Sequence, residues 1–343
     1  MKKIVFTGGG TAGHIIPNLA IINDIKNRAQ IYYIGSNGLE KKLVQEKNID
    51  FFEISSTKLK RSFSFSNLLI PFKLIKAYNE AKKILKKINP DVIFSKGGYV
   101  SLPVVLASHK LKIDVIAHES DLTMGLANKL CKNKCKIICT SFEATAKNLK
   151  NGLFTGSPIR KEIFCGNIQN AQKLFKQPTK KPTILVVGGS LGSKIINEII
   201  FQIIDNLKEF NFIHIVGKGN KKEINKENYV QLEYADNIQD LFALADIVIS
   251  RAGSNAVNEI LALSKPNILI PLSKKASRGD QILNAKYFQE KGYSKVIFEE
   301  DLNAINLIAN IKNLYKNKED YIKNMKQSNV KFANEKIIEL LLN

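Results

Sequence analysis

Two stretches of this chain read the same way, as an apolar strand that runs into a glycine-rich turn and opens a helix. They are Ile4-Val5-Phe6-Thr7-Gly8-Gly9-Gly10 and Ile184-Leu185-Val186-Val187-Gly188-Gly189-Ser190. Such a unit begins a doubly wound parallel sheet, and its repetition near the middle of the chain predicts two such sheets. The length agrees, because 343 residues exceed what one hydrophobic core usually supports. Short Ile- and Val-rich runs alternate with longer helical patterns throughout, the order expected of parallel strands with crossover helices. Expected strands cover 3–7, 31–34, 50–54, 91–94, 113–117, 136–139 and 152–155, then 183–187, 212–216, 229–233, 246–250, 267–270 and 295–298. The fold class is therefore α/β, two Rossmann-like domains facing across a cleft, with ligands at the carboxyl ends of the strands. The domains are expected at 1–160 and 161–326. A final helix, about 327–343 within a helical stretch at 319–342, could cross back to pack on the first domain, and the polar segment 166–182, with Pro178 and Pro182, reads as a linker or irregular entry segment.

With 44% hydrophobic and 24% charged residues the composition is that of a folded globular chain. The start Met-Lys-Lys runs directly into a strand pattern without an apolar leader, so the expectation is a chain that is not secreted. No apolar run approaches the roughly 18 residues of a spanning helix. Cys131, Cys135, Cys139 and Cys165 have three, three and twenty-five residues between them, which suits neither a zinc site nor a disulfide framework. Free thiols in or near the core are expected.

The formal charge of +21 is unevenly placed. Residues 1–160 hold 26 Lys and Arg against 11 Asp and Glu, a net of +15, whereas the rest hold 26 against 20, a net of +6. A basic first half suits a polyanionic partner, nucleic acid or an anionic membrane; a lysine-rich genome is the plainer explanation.

The turn Gly8 to His14 formally matches the dinucleotide pattern through Gly8, Gly10 and Gly13. A nicotinamide site also wants an acidic residue at the end of the second strand, and Tyr33-Ile34-Gly35-Ser36-Asn37 has none. What survives is the physical content of the loop, backbone N–H groups and a helix start that suit a phosphate or pyrophosphate. His14 follows it, and imidazole is the side chain best matched to taking a proton near neutral pH; a structural hydrogen-bonding role is the alternative. Gly97-Gly98-Tyr99-Val100-Ser101 forms a second glycine turn with Lys96 beside it, which tight-turn geometry alone would also explain. In the second half, Gly188-Gly189-Ser190-Leu191-Gly192-Ser193 and Ser250-Arg251-Ala252-Gly253-Ser254-Asn255 offer further helix starts. Glu259 lies beyond Ser254, where it could hold ribose hydroxyls or simply face solvent. No D-x-D pair occurs, the usual device for holding a divalent metal against a nucleotide-sugar diphosphate. No metal and no cofactor are expected, with helix amino termini, Arg160 and Arg251 meeting the charge instead.

Gly9-Gly10-Thr11-Ala12-Gly13-His14 resembles the G-G-T-x-G-H loop of the MurG family of N-acetylglucosaminyltransferases. The likeness continues in order through Gly97-Gly98-Tyr99-Val100-Ser101, His118-Glu119, Gly125-Leu126-Ala127-Asn128-Lys129, Gly156-Ser157-Pro158-Ile159-Arg160, Gly188-Gly189-Ser190, Arg251-Ala252-Gly253 with Glu259, and Gln281 with Asn284-Ala285. The resemblance implies a GT-B fold and inverting transfer of GlcNAc from UDP-GlcNAc to the C4 hydroxyl of lipid I, giving lipid II for peptidoglycan. It implies His14, or Asp121 in reserve, as catalytic base. It also implies Thr11, His14, Tyr99 and Asn128 on the acceptor side, with Gly9, Gly10, Gly97 and Gly98 around the pyrophosphate. Arg160, Ser190, Arg251, Ser254, Asn255, Glu259, Asp280 and Gln281 are the expected donor contacts, with Ala235 and Ile238 near the uracil. Thr11, Ala12, Gly13, His14 and Asp121 are expected within reach of the donor as well.

Two positions depart from the family pattern: His118-Glu119-Ser120-Asp121 stands where H-E-Q-N is common, and Asp280 where Gln is common. The first change removes an amide donor. The rivals are another UDP-sugar enzyme of the same fold, such as a diacylglycerol glycosyltransferase or a non-hydrolysing epimerase, and a nucleic-acid-binding protein, for which no binding motif is present. Lipid I would bring the chain to the cytoplasmic leaflet as a peripheral protein, alongside other cell-wall synthesis proteins. The expected docking face is the stripe Leu68, Phe72, Ile75 and Tyr78 among Lys58, Lys60, Arg61, Phe63, Phe65, Lys73, Lys76, Lys82, Lys83, Lys86 and Lys87, though such a stripe also suits a core.

Overall fold

The computed structural model describes residues 1–56, 70–175, 180–189, 191–274, 279–328, 330 and 333–343. The chain divides into two compact units, the first holding residues 1–160 and the C-terminal helix, the second residues 161–330.

The first unit is built on a seven-stranded parallel sheet: β1 (Lys2–Thr7), β2 (Ala29–Gly35), β3 (Asp50–Glu53), β4 (Val92–Ser95), β5 (Asp114–Glu119), β6 (Ile137–Thr140) and β7 (Gly152–Phe154). Their order across the sheet is β3-β2-β1-β4-β5-β6-β7. The order reverses between β1 and β4, the place where an open α/β sheet leaves a crevice for ligands. β1 shows why the runs are continuously apolar. Ile4 and Phe6 point to one face, Val5 to the other, and all three are fully buried, because helices cover both sides. Helices Ala12–Ile25 and Ala333–Leu342 cover the first face, and Ile70–Ile88 and Ser101–Leu111 the second.

The C-terminal helix buries Ile337, Ile338 and Leu341 in the cluster around β1. Asn334 secures it: its side-chain amide accepts from the Ile159 N–H at 2.9 Å and donates to the Ile159 carbonyl at 2.9 Å and to Asp24 at 3.0 Å. The helical stretch expected at 319–342 is two helices, Lys318–Lys326 and Ala333–Leu342.

The second unit repeats the plan with six parallel strands: β8 (Thr183–Val187), β9 (Asn211–Ile215), β10 (Tyr229–Leu232), β11 (Ile247–Ser250), β12 (Asn267–Leu269) and β13 (Lys295–Val296), ordered β10-β9-β8-β11-β12-β13. Its switch point lies between β8 and β11. Ile184 and Val186 pack against helices Lys194–Ile203 and Ala304–Lys316 through Ile196, Ile200, Ile203, Leu307 and Ile311. The segment expected to be a linker or irregular entry holds one helix among its described residues. Residues Ile168–Gln172 form a short helix whose cap, Asn167, accepts from the N–H groups of Gln169 and Asn170. Asp240 in turn accepts from the Asn167 N–H at 2.7 Å, and Ala171 and Phe175 are buried. Asn is a strong cap former, so a polar segment was enough to start a helix here.

Cys131, Cys135 and Cys139 are buried free thiols, and burial pushes all three up, the first to about 11 and the other two to about 12. Cys165 is exposed, contrary to a core placement for all four.

Candidate functional site

In the first unit the candidate residues converge where β1, β4 and β5 end. The first glycine turn is propped from below by Tyr33, whose buried hydroxyl donates to the Gly8 carbonyl at 2.6 Å and accepts from Asn18 at 3.0 Å. The second turn lies against the first, and only glycine permits that approach. Gly98 has φ +84°, and a Cβ there would come within 2.5 Å of the Gly9 carbonyl oxygen. Gly10, at φ +85°, sits under the Tyr99 ring, which a Cβ would meet at 2.4 Å. Asn128, expected on the acceptor side, lies against Gly97 and donates to the His118 carbonyl at 3.1 Å and to Glu119 at 2.9 Å.

His14 sits in the first turn of helix Ala12–Ile25, half-buried, with Nδ1 at 3.2 Å from the Lys96 main-chain carbonyl. A carbonyl can only accept, so Nδ1 carries the proton and the lone pair of the neutral ring is on Nε2. Thr11 is the extended residue before that helix and makes no side-chain cap, while Ala12 and Gly13 form its first turn.

The loop after β5 is tied down by Glu119, whose carboxylate accepts from the N–H groups of Asp121 at 3.1 Å and Gly125 at 2.9 Å, besides Asn128. Burial raises the Glu119 carboxyl above its ordinary range against those hydrogen bonds. His118 is wholly buried, donates to the Gly156 carbonyl at 2.9 Å, and is held neutral by burial and by the Lys96 charge.

One expected role changes. The acidic residue sought at the end of β2 is on the next helix, as Glu40, in the first turn of Leu39–Gln45 and wholly buried. Its carboxylate accepts from the Ser36 N–H at 3.1 Å, the Ser36 hydroxyl, and the Gly10 N–H at 3.2 Å. The Gly10 N–H, expected to meet a pyrophosphate, is therefore held by a carboxylate of the same unit. Glu40 also accounts for Gly9, where a Cβ would collide with it at 2.4 Å. From sequence this residue reads only as an ordinary helix-start glutamate.

The second unit has its own concavity, a cavity of about 680 Å³ lined by Gly188, Gly189, Ser193, Gly253, Leu272 and Gln281 among others. Of the expected donor residues it gathers Arg251 and Gln281. Gln281 accepts from the Leu272 N–H at 3.1 Å, which orients the amide at the wall. Ser254 and Asn255 begin the helix Ser254–Ala262, with half-buried Glu259 further along it. Asp280 begins Asp280–Glu290, and Ala235 and Ile238 precede and open helix Ile238–Leu244. Arg160 belongs to the first unit. Ser190 lies outside the described residues, as do Lys58, Lys60, Arg61, Phe63, Phe65 and Leu68.

Arg251 differs from the expected free cation. Its guanidinium is buried, 2.7 Å from Glu299, 3.0 Å from the Ile270 carbonyl and 2.7 Å from the Ser193 hydroxyl. Glu299 also accepts from the Ser273 N–H at 3.1 Å, and these contacts hold its carboxyl below the usual range in spite of desolvation. The pair meets its own charge, so in this arrangement Arg251 braces the cavity wall. Glu299 was missed as a wall residue, whereas Ser193 belongs to the glycine turn expected to open a helix start. It is the cap of helix Lys194–Ile203, which starts four residues after Ser190.

The helix Ile70–Ile88 exposes Phe72 at 69% and Ile75 at 58%, beside exposed Lys73, Lys76 and Lys83. Tyr78 leaves this stripe: it is half-buried against the core, on the flank of the face that buries Ala77, Ala81 and Leu85. Among the described residues no helix is long and apolar enough to cross a membrane.

Comparison with known proteins accords with this two-part arrangement. Residues 4–140 match the N-terminal domain of glycosyltransferase family 28, and residues 183–341 match its C-terminal domain. A protein of Clostridium botulinum named UDP-N-acetylglucosamine--N-acetylmuramyl-(pentapeptide) pyrophosphoryl-undecaprenol N-acetylglucosamine transferase is 50% identical over 349 aligned residues, covering 99% of both chains. One of the same name from Clostridium tetani is 49% identical over 99% of this chain and 97% of its own. The crystal structure of MurG from Acinetobacter baumannii shares the GT-B fold at a TM-score of 0.81 and 23% identity, over 99% of each chain. The chain belongs to glycosyltransferase family 28, among its MurG members.

Proposed function

We propose that this protein transfers N-acetylglucosamine from UDP-GlcNAc to the C4 hydroxyl of the muramyl residue of lipid I, forming lipid II and UDP. The observation that carries the reading is the full-length match at 50% identity to a transferase of that name. The first-unit site supports it with a histidine whose tautomer is set for accepting a proton. In the reaction the acceptor hydroxyl loses its proton to a base, its oxygen bonds to the anomeric carbon, and the bond from that carbon to UDP breaks. A single displacement of this kind inverts the sugar. Thr11, Tyr99 and Asn128 hold the acceptor. Glu259 takes the donor ribose, Gln281 and Asp280 the sugar, and Ala235 and Ile238 the uracil.

The departing diphosphate is stabilised without a metal, by the helix starts at Lys194 and Ser254 and by Arg160. The decisive measurement is UDP release from UDP-GlcNAc with and without a lipid I analogue. Release should depend on the acceptor, persist in EDTA, and show a raised donor KM in Glu259→Ala, each lost hydrogen bond to the carboxylate costing about 1.5–3 kcal/mol. Release without acceptor, or activity abolished by EDTA and restored by manganese, would overturn the corresponding part.

Lipid I is bound to the bilayer, and the reading places the first unit on the cytoplasmic leaflet through helix Ile70–Ile88. Exposed Phe72 and Ile75 enter the headgroup boundary, and each nearby lysine contributes about 1 kcal/mol at an anionic surface. Co-sedimentation with anionic vesicles should fall in Phe72→Ser/Ile75→Ser and in a variant with Lys73, Lys76, Lys83 and Lys87 changed to Gln. If both stay folded and sediment as wild type does, the membrane face lies elsewhere.

A further inference from the structure

The cavity of the second unit is braced by one chain of contacts that crosses four neighbouring strand ends. In the order of the sheet, Ser193 follows β8, Arg251 follows β11, Ile270 follows β12 and Glu299 follows β13. Ser193 and Arg251 are each 8% exposed, and both line the cavity together with Glu299. Glu299 and the Ile270 carbonyl hold Nη1 of the guanidinium at 2.7 and 3.0 Å, while Nη2 donates to the Ser193 hydroxyl at 2.7 Å. The guanidinium is not saturated, because its buried Nε–H has no acceptor among the described residues.

The Ser193 hydroxyl is where this chain of contacts turns toward the cavity. A serine oxygen accepts up to two hydrogen bonds and donates one. Both acceptor positions are filled from within the protein, by Arg251 and by the Ile196 N–H at 3.4 Å, the capping bond of helix Lys194–Ile203. Neither partner can receive a hydrogen, so the hydroxyl hydrogen points away from both, and it has no acceptor among the described residues. A hydroxyl polarised by a guanidinium behind it suits an acceptor that carries negative charge, since charge-assisted hydrogen bonds are the stronger ones. Lys194 and Ile195, next along the same wall, add first-turn N–H groups and the positive end of a ten-residue helix.

We propose that Ser193 donates its hydroxyl hydrogen to a diphosphate oxygen of the nucleotide-sugar donor, and that Arg251 and Glu299 are positioning residues that act on the diphosphate only through Ser193. The charge of Arg251, already balanced by Glu299, then reaches the anion as the polarisation of a hydroxyl instead of as an ion pair. The inference rests on the UDP-GlcNAc half of the transferase reading. A wild type that binds UDP but releases none with a lipid I analogue would sink the transfer and leave this relay standing, whereas a wild type that binds no UDP would overturn both.

The test measures Kd for UDP by calorimetry and for uridine by ligand-observed NMR, on the full chain and its variants. Ser193→Ala should weaken UDP by about tenfold or more, what a hydrogen bond to a charged acceptor is worth, with uridine within about twofold. Ser193→Asp keeps a helix cap and an acceptor for Arg251 but has no hydrogen to give, and should weaken UDP at least as much as Ser193→Ala, again sparing uridine. Arg251→Lys keeps the charge but cannot reach Glu299, Ile270 and Ser193 together. It should weaken UDP by about threefold or more in the native background and by less than about twofold in Ser193→Ala. An unchanged UDP affinity in Ser193→Ala, equal losses for UDP and uridine, or multiplicative losses in the double variant would overturn the proposal. Should Arg251→Lys fail to fold, the two Ser193 variants decide by themselves, since UDP affinity equal to wild type in either one would overturn it.

Discussion

His14→Ala lowers turnover at saturating UDP-GlcNAc and acceptor by about 10²–10⁴-fold, the range typical of a lost general base. The expectation follows from the ring's setting. Nδ1 donates to the Lys96 carbonyl at 3.2 Å, and that bond places the lone pair on Nε2, the atom proposed to take the acceptor proton. Because the anchoring group is main chain, neighbouring side-chain substitutions leave the tautomer unchanged. UDP affinity should be little affected. A loss in turnover smaller than about tenfold would make His14 an acceptor-positioning residue and pass the base role to Asp121.

The second large effect is on stability. His214 is fully buried in the second unit between the Tyr229 hydroxyl at 2.8 Å and the Asn197 side-chain carbonyl at 3.0 Å. Asn197 accepts, so Nε2 carries the proton, and in the neutral ring Nδ1 accepts from Tyr229. Burial accordingly pushes the imidazole down to about 3 from an ordinary 6.5. The folded pKa is depressed, so between those values the unfolded chain binds the extra proton. The stabilisation is complete above pH 6.5 and is lost as pH falls toward 3. The slope is about 1.4 kcal/mol per pH unit, and the total across the window is on the order of 5 kcal/mol. Urea unfolding of the full chain at pH 7, 5.5 and 4.5 should show the second unit's transition moving to lower urea. His214→Asn should flatten that shift by about one proton, despite lower stability at pH 7. Equal pH dependence in wild type and variant would exclude His214 as the source.

The parallel sheets were legible because strands covered on both faces need consecutive apolar residues, and that pattern is local. Ile4-Val5-Phe6 and Ile184-Leu185-Val186 carry their burial in their own composition. The glycine turns were legible for a related reason: a left-handed or crowded backbone leaves little choice of residue, as at Gly98. Within the segment 166–182 the short helix Ile168–Gln172 was not legible, because proline and polarity outweighed a single capping asparagine. The exposed Phe72–Ile75 pair was legible as a stripe, but its end was not, since whether Tyr78 faces core or solvent depends on how the helix is rotated against the sheet.

Within the sites, the sequence by itself determined the residue types at the strand ends: glycines, His14, Tyr99, Asn128, Arg251 and Gln281. Only the tertiary structure decided which of them have their charges and N–H groups already met. Glu40 reaches Gly10 because β2 lies beside β1, and Lys96 reaches Ser120 because β4 lies beside β5. Glu299 reaches Arg251 across β12, from the far end of the unit's sheet. A buried charge is stabilised by whatever partner the strand order brings near it, and that partner can be any distance away along the chain.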